Sequence, residues 1–441
     1  MRTTSSSQLF RVFALAGLGF ATLFGSAAKA EIITVTPEDG FAPIEAAGPG
    51  DEVLLEPGTY RFRLFLQGNG TAEAPIIIRA ADASNKPVWD LSGMLAEDFP
   101  GSSTRGDRGR GCWQVTGSHY QISGIVVTGC TTASGNAAGV RSIQSESLVL
   151  RDIEFRENDV GLSGDGENTL VEFSEFIGNG RRSSPPQHST YIFGGSITMR
   201  HNYIHDSRGG QNLHIRAVSS LIEYNWIARA SNYEIDMMTN QSGSATQEMI
   251  FRGNVLITSE SPENSGQVFV MYNDGGGTGP SMTLRLIGNT ILVRSGNNPR
   301  LINVRDDTLP SATVEMRNNV VVGTNQLVET RGGDVSISGG NNWLMNGSDA
   351  AGLGENTFGD DPMFQNAGEL DFRPSPASPL VGAAGAGFEL SREYFENEAN
   401  PMRFRFRDST SDIGAFEHDT AGSDFGAGDD PVEPPGEDAG P

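Results

Sequence analysis

MRHNYI at residues 199–204, IEYNWI at 222–227, FRGNVL at 251–256, LIGNTI at 286–291, MRNNVV at 316–321 and GGNNWL at 339–344 share one frame: an asparagine, any residue, then an aliphatic. The asparagines are Asn202, Asn225, Asn254, Asn289, Asn319 and Asn342, spaced by 23, 29, 35, 30 and 23 residues. Upstream, ISGIVV, LRDIEF and VEFSEF keep the apolar frame without the asparagine, so about nine units fit between residues 120 and 345. A repeat of roughly 20 to 35 residues containing only short strands is a solenoid, and no stretch sustains helical periodicity. The predicted fold is all-β, a right-handed parallel β-helix (a single-stranded solenoid). Each coil adds two or three short strands to parallel sheets, and neighbouring coils lie about 4.8 Å apart. Asparagine tolerates left-handed turn geometry and can bond across a tight corner, so the repeated residues should stack as an amide ladder. Uneven spacing places long loops such as SGSATQE and NDGGGTGPS on some coils, where they would wall a groove.

The ends follow from the same reading. MRTTSSSQLFR is a basic segment, VFALAGLGFATLFG an apolar one, and Ala28-Lys29-Ala30 a small-x-small cleavage site, so residues 1–30 read as a secretory signal peptide. The chain is then expected outside the cell or in the periplasm. The β-helix is expected over 31–418, with FAPIEAA as a short capping helix and GDEVLLEPGTYRFRLFLQG and GTAEAPIIIRAA as the first coils. SPASPLVGAAGAG and DSTSDIGAFEH would be the last strands, covering the open edge. DTAGSDFGAGDDPVEPPGEDAGP, residues 419–441, is an acidic Pro/Gly-rich tail with almost no apolar content, expected to be disordered.

Charge narrows the partners. The chain has 31 basic and 55 acidic residues, and removing Arg2, Arg11 and Lys29 with the leader leaves 28 against 55. Such a surface repels nucleic acid and anionic lipid and suits a soluble monomer. No later segment reaches the roughly 18 apolar residues of a membrane span. Cys112 and Cys130, in an exported chain, fit a disulfide; two buried thiols are the alternative.

One strand carries chemistry. In GQNLHIRA, residues 210–217, Leu213 and Ile215 alternate with His214 and Arg216, the period of a half-buried strand with its ionisable pair facing out. His214 lies eight residues before Ile222 and Tyr191 eight before Met199, which stacks the two in adjacent coils. SNYEIDM places Glu234 and Asp236 one coil further on. The expected outward patch is Tyr191, His214, Arg216, Glu234 and Asp236. Between residues 181 and 229 six arginines (181, 182, 200, 208, 216, 229) face only Asp206 and Glu223, and four of the six histidines (188, 201, 205, 214) fall there. A positive island on a negative chain suits an acidic sugar polymer.

PGDEVLLEPGTYRFRLFLQGNGTAEAPIIIRA and the ending DIGAFEH resemble secreted β-helix proteins of the pectate-lyase-like superfamily, above all the alginate-lyase and chondroitinase-B-like polysaccharide lyases. The resemblance covers most of residues 40–418. It implies a Lys–Arg pair and often a calcium ion; here the chain departs, because Lys86 is the single lysine after the leader. HSTYIFGG, GGQNLHIRA and SNYEIDM resemble a group of β-helix proteins, many of which carry Lys where His214 stands here.

Taken together these features point to cleavage of a uronic-acid polysaccharide by β-elimination. Arg216 or Arg208 would neutralise the uronate carboxylate, or a Ca²⁺ held by Glu234 and Asp236 would do so. His214 would take the proton, and Tyr191 or His188 would protonate the leaving oxygen. Arg208, Gln211 and Asp236 are the expected substrate-binding residues. Two alternatives stay open: a β-helix glycoside hydrolase using Glu234 and Asp236, and a non-catalytic carbohydrate-binding or surface protein. A bland reading also stands, in which His214 pairs with Glu234 across coils.

Overall fold

The computed structural model describes residues 30–99, 110–181, 187–239, 246–273, 279–294, 298–305, 309–332, 334–350, 352–386, 390–394, 403–407, 409, 411–418 and 424–425. The predicted leader (save Ala30), nearly all of the acidic tail, Arg182 and most of the loops SGSATQE and NDGGGTGPS lie outside these residues.

The chain winds as a right-handed parallel β-helix with three sheet faces. The first sheet has 12 strands, from Ile32–Val35 to Val335–Gly340; the second has 12, from Thr59–Tyr60 to Thr357–Gly359; the third has 10, from Leu64–Leu66 to Val328–Thr330. Each coil visits the sheets in that order, and every pairing within them is parallel, for example Ser196–Arg200 on Ser219–Glu223. Nine first-sheet strands, from Tyr120–Ser123 to Val335–Gly340, match the nine repeat units. Alternate side chains point inward and stack in columns: Val171, Met199, Ile222 and Phe251 are in register on the first sheet and fully buried. Tyr60 stacks on Trp89 (ring centroids 4.2 Å) and Phe155 on Phe176 (4.4 Å). Burial of each such side chain contributes about 1.5–3 kcal/mol. The Cys112–Cys130 disulfide is formed and fully buried, joining a third-sheet strand to the end of a second-sheet strand.

The repeated asparagines form the expected ladder at the corner between the first and second sheets. Asn225 Nδ2 donates to Asn254 Oδ1 (3.0 Å) and to Met199 O (2.8 Å), and the Asn225 backbone N–H donates to the same Asn254 oxygen (2.9 Å). The pattern repeats at Asn202, Asn254, Asn289, Asn319 and Asn342, and runs on to Asn356 in a short final coil. The left-handed residue is not the ladder asparagine but the one before it: His201 (φ 56°), Tyr224 (53°), Gly253 (63°), Gly288 (60°), Asn318 (55°) and Asn341 (57°). That residue makes the turn, and the asparagine satisfies the backbone groups the turn leaves behind. A second, shorter ladder holds the corner between the second and third sheets: Asn158 Nδ2 donates to Asn179 Oδ1 (3.0 Å), and Cys130 N to Asn158 Oδ1 (2.9 Å).

At the N-terminal end Ala42–Glu45 forms the short helix expected there, packed on the strands Ile32–Val35 and Leu64–Leu66. The C-terminal segment departs from expectation. Instead of covering the open edge, it turns back along the outer face of the second sheet. Phe372, Tyr394, Ala415 and Phe416 pack on Tyr203, Trp226 and Val255, and the antiparallel hairpin of Arg392–Tyr394 and Phe404–Phe406 seats Phe404 on the corner residues Phe173 and His201. Outward apolar side chains on the second sheet need a cover, and this segment supplies it. Among the described residues no helix is long and apolar enough to cross a membrane.

The ladder makes an expected outcome for denaturant unfolding. Asn254→Ala orphans Ile222 O and the Asn225 donors, each worth about 1–3 kcal/mol when buried and unpaired. It should cost about 3 kcal/mol or more. Asn356→Ala, at the half-exposed end, should cost less than half as much; equal losses would show that the ladder's interior carries no special load.

Candidate active site

The third sheet presents one outward column across successive coils. Gln114, Arg141, Ser163, Tyr191, His214, Asp236, Val270 and Asn303 are Cα partners in turn. Leu213, Ile215, Ile235 and Met237 flank the ionisable positions and point into the core. The parallel register therefore places Tyr191, His214 and Asp236 one above another, about 4.8 Å apart per coil.

The imidazole of His214 is held on every side. Its Nδ1 faces Asp236 Oδ2 at 2.8 Å, and Arg216 Nε donates to its Nε2 at 3.3 Å. Since a guanidinium can only donate, Nε2 carries the lone pair and Nδ1 the proton, given to Asp236. The edge-to-face ring of Tyr191 lies 4.5 Å away on one coil side, and the ring of His188 stacks at 4.4 Å. The Tyr272 hydroxyl donates to Asp236 Oδ2 (3.3 Å), the same oxygen that holds His214. Arg216 also donates to Thr239 O (3.5 Å) and to Met238 Sδ (3.2 Å). His188, His214, Arg216 and Asp236 are each less than a tenth exposed, whereas Tyr191 and Tyr272 are half-buried and form the accessible rim.

Electrostatics sort the roles. Burial, with His214 beside it, holds His188 well below the usual histidine range, and its Nδ1 accepts from the Gln211 N–H (3.4 Å). His188 is thus a neutral backing ring, with Gln211 buried behind it. Burial, then the charge of Asp236, pushes the Tyr272 and Tyr233 hydroxyls up, so both stay protonated.

Two expected residues lie elsewhere. Glu234 precedes its strand and turns into the corner, where its carboxylate accepts from Ala230 N (3.0 and 3.1 Å) and Asn212 Nδ2 (2.8 Å). It shares no site with Asp236, so it completes neither a calcium pair, a hydrolase pair nor a cross-coil partner for His214. Among the described residues no three His, Cys, Asp or Glu side chains are grouped to hold a metal ion, and the expected calcium pair is split, Glu234 bonded to Asn212 and Asp236 to His214. Arg208 stands in the loop after Tyr203–His205, its Nη1 3.7 Å from Glu157, lining an open cleft of about 560 Å³ with Arg181, Asp159, Thr131 and Leu95. The positive island is dispersed. Arg200 pairs with Glu172 (2.8 Å) on the first sheet and Arg229 with Asp206 (2.9 Å) beyond the second. A coil distributes a continuous sequence window over three faces, so such a window is not a surface patch. Sequence reading does not single out Tyr233 or Tyr272 as site residues: Gln267–Tyr272 is apolar from Val268 on and shows no alternation, and Tyr272 reaches the site through its pairing with Met238 in the preceding coil.

Burial is the leading influence on Glu234, and pushes its carboxyl up to about 8 from 4.5. The folded state therefore keeps this proton longer than the unfolded chain, and stability from this group falls as pH rises from about 4.5 through 8. Glu234→Gln cannot ionise. Its Tm deficit relative to wild type should shrink between pH 5 and pH 8 in thermal unfolding; a constant deficit would contradict the shift.

No protein-family model matches the chain and no curated protein is detectably related to it. Among solved structures it is similar to pectate lyase Pel9A, at 16% identity over 89% of this chain and 98% of that one, with a TM-score of 0.54. It is also similar to an alginate lyase from Paenibacillus sp. str. FPU-7, at 18% identity over 69% of this chain and 99% of that one, with a TM-score of 0.47. At such identities the likeness concerns architecture alone: the chain shares its right-handed parallel β-helix with pectate lyase Pel9A, and this is the fold that the resemblance in its opening coils implied.

Proposed function

We propose that the chain is an exported enzyme that cleaves a uronic-acid-containing polysaccharide by β-elimination at the third-sheet column. The observation that carries this reading is the placement of His214 between Asp236, which accepts a hydrogen bond from its Nδ1, and Arg216, which covers its Nε2. A neutral imidazole with a fixed tautomer is a general base, and a guanidinium at the same nitrogen is a carboxylate receptor. When a uronate enters, its carboxylate draws Arg216 away from Nε2. The neutralised carboxylate acidifies the proton on C5, and the uncovered Nε2 takes it. The C4–O bond breaks as the C4=C5 double bond forms, and the leaving oxygen takes a proton from the Tyr191 hydroxyl at the rim. The imidazolium and phenolate are then restored by proton exchange through water. Asp236 steadies the imidazolium, with Tyr272 bonded to it. The roles of Arg208, Gln211 and His188 in this scheme are peripheral.

The test is ultraviolet absorbance of the new C4=C5 double bond while purified protein is incubated with a panel of uronate polymers. The wild type should produce a steady rise on at least one polymer. His214→Ala and Arg216→Ala should each lower the rate about 10²–10⁴-fold, the usual range for a general base. New reducing ends without any absorbance rise would move the reading to hydrolysis, and undiminished rates in both variants would remove the site.

A further inference from the structure

The hairpin that covers the ladder corner rests on a histidine whose ring bonds to none of the described residues. His201 sits in the left-handed corner position (φ 56°) just before Asn202, is fully buried, and neither of its ring nitrogens has a hydrogen-bond partner among the described residues. Stacking takes the place of bonding. Phe173 and Tyr224, at the same corner position in the coils on either side, lie 5.2 and 5.6 Å from its ring, and Phe404 of the hairpin lies 4.1 Å away.

The charges around this stack oppose a proton. Arg151 lies over Phe173 (4.8 Å), Arg392 over Phe404 (5.1 Å), and Arg200 is the preceding residue. The nearby carboxylates are engaged by arginines: Glu172 by Arg151 (2.9 Å) and Arg200 (2.8 Å), Glu223 by Arg252 (2.6 Å), and Glu393 by Arg405 (2.6 Å). A buried imidazolium would need two acceptors, and none of the described residues bonds either ring nitrogen. Burial first, then Arg392, Arg200 and Arg151, hold the ring far below the usual histidine range.

We propose that His201 is an acid-sensitive latch: a proton on its ring releases the hairpin of Arg392–Tyr394 and Phe404–Phe406 from the solenoid corner and lifts Tyr394 from Trp226 on the outer face of the second sheet. The released ring titrates near 6.5 and the docked ring much lower. The docking free energy is therefore fully present above about pH 6.5 and is lost as pH falls below it. This holds whether or not the third-sheet column is catalytic.

The experiment is hydrogen exchange of the peptide carrying Arg403–Arg407, corrected for the intrinsic pH dependence of exchange, in full-length wild type and in His201→Phe. Phenylalanine keeps the stack and does not titrate, and Phe173 already occupies the equivalent corner position at φ 49°. In the wild type the open fraction should rise up to about tenfold per pH unit below 6.5; in His201→Phe it should stay flat. Glu393→Gln should retain the acid response. An equal acid response in His201→Phe, or none in the wild type, would overturn the proposal.

Discussion

The amide ladder at the first corner is the constraint on which the rest depends. A two-residue turn between sheets leaves backbone donors and acceptors that face the interior, and no water reaches them. Each ladder asparagine caps a carbonyl of the preceding coil with its Nδ2 and accepts from that coil's asparagine with its Oδ1, while its own N–H and Nδ2 donate to the asparagine of the next coil. Coils can therefore stack in only one register at this corner, since a slip by one residue would bury orphaned groups and also reverse every inward and outward side chain. Seven asparagines fix seven coils, from Asn202 to Asn356. The coils upstream use Ser174 for the same purpose, its backbone N–H donating to Asn202 Oδ1 (3.0 Å).

Register at that corner sets the chemistry on the third sheet. Tyr191, His214 and Asp236 belong to three coils separated by 23 and 22 residues, and they meet only because those coils are locked in phase. The same lock allows long insertions between the third and first sheets without moving the column, because length is absorbed in loops while the strands stay paired. A chain with one corner fixed and two variable ones is suited to carrying a site on the sheet opposite the fixed corner.

The fold was legible because its cause is local and repeated. The frame Asn-x-aliphatic gave the corner, alternation gave the strands, and eight-residue offsets gave the pairing of Tyr191 with His214. Reading failed where the decisive geometry was not periodic. Glu234 and Asp236 look alike two residues apart, yet only Asp236 is within the strand (Ile235–Met238), while Glu234 is already in the corner. The arginine-rich window looked like a patch, but a coil sends its residues to three faces. The second ladder was signalled by Phe155-x-x-Asn158 and Phe176-x-x-Asn179, a spacing that Phe251-x-x-Asn254 of the first ladder shares and that therefore does not set the two corners apart. The return of the C-terminal segment along the second sheet had no sequence signal beyond the outward aromatics Tyr203 and Trp226, whose cover could have come from anywhere in the chain.

The central claim is that His214 and Arg216 act together on a uronate by elimination, and the mass of the products tests it most directly. Oligosaccharides released from a responsive uronate polymer should be lighter by one water than the corresponding hydrolysis products, each with an unsaturated non-reducing end, and should be missing when Arg216→Ala replaces the wild type. Saturated products at full hydrolysis mass, or unsaturated products formed equally well by Arg216→Ala, would contradict it.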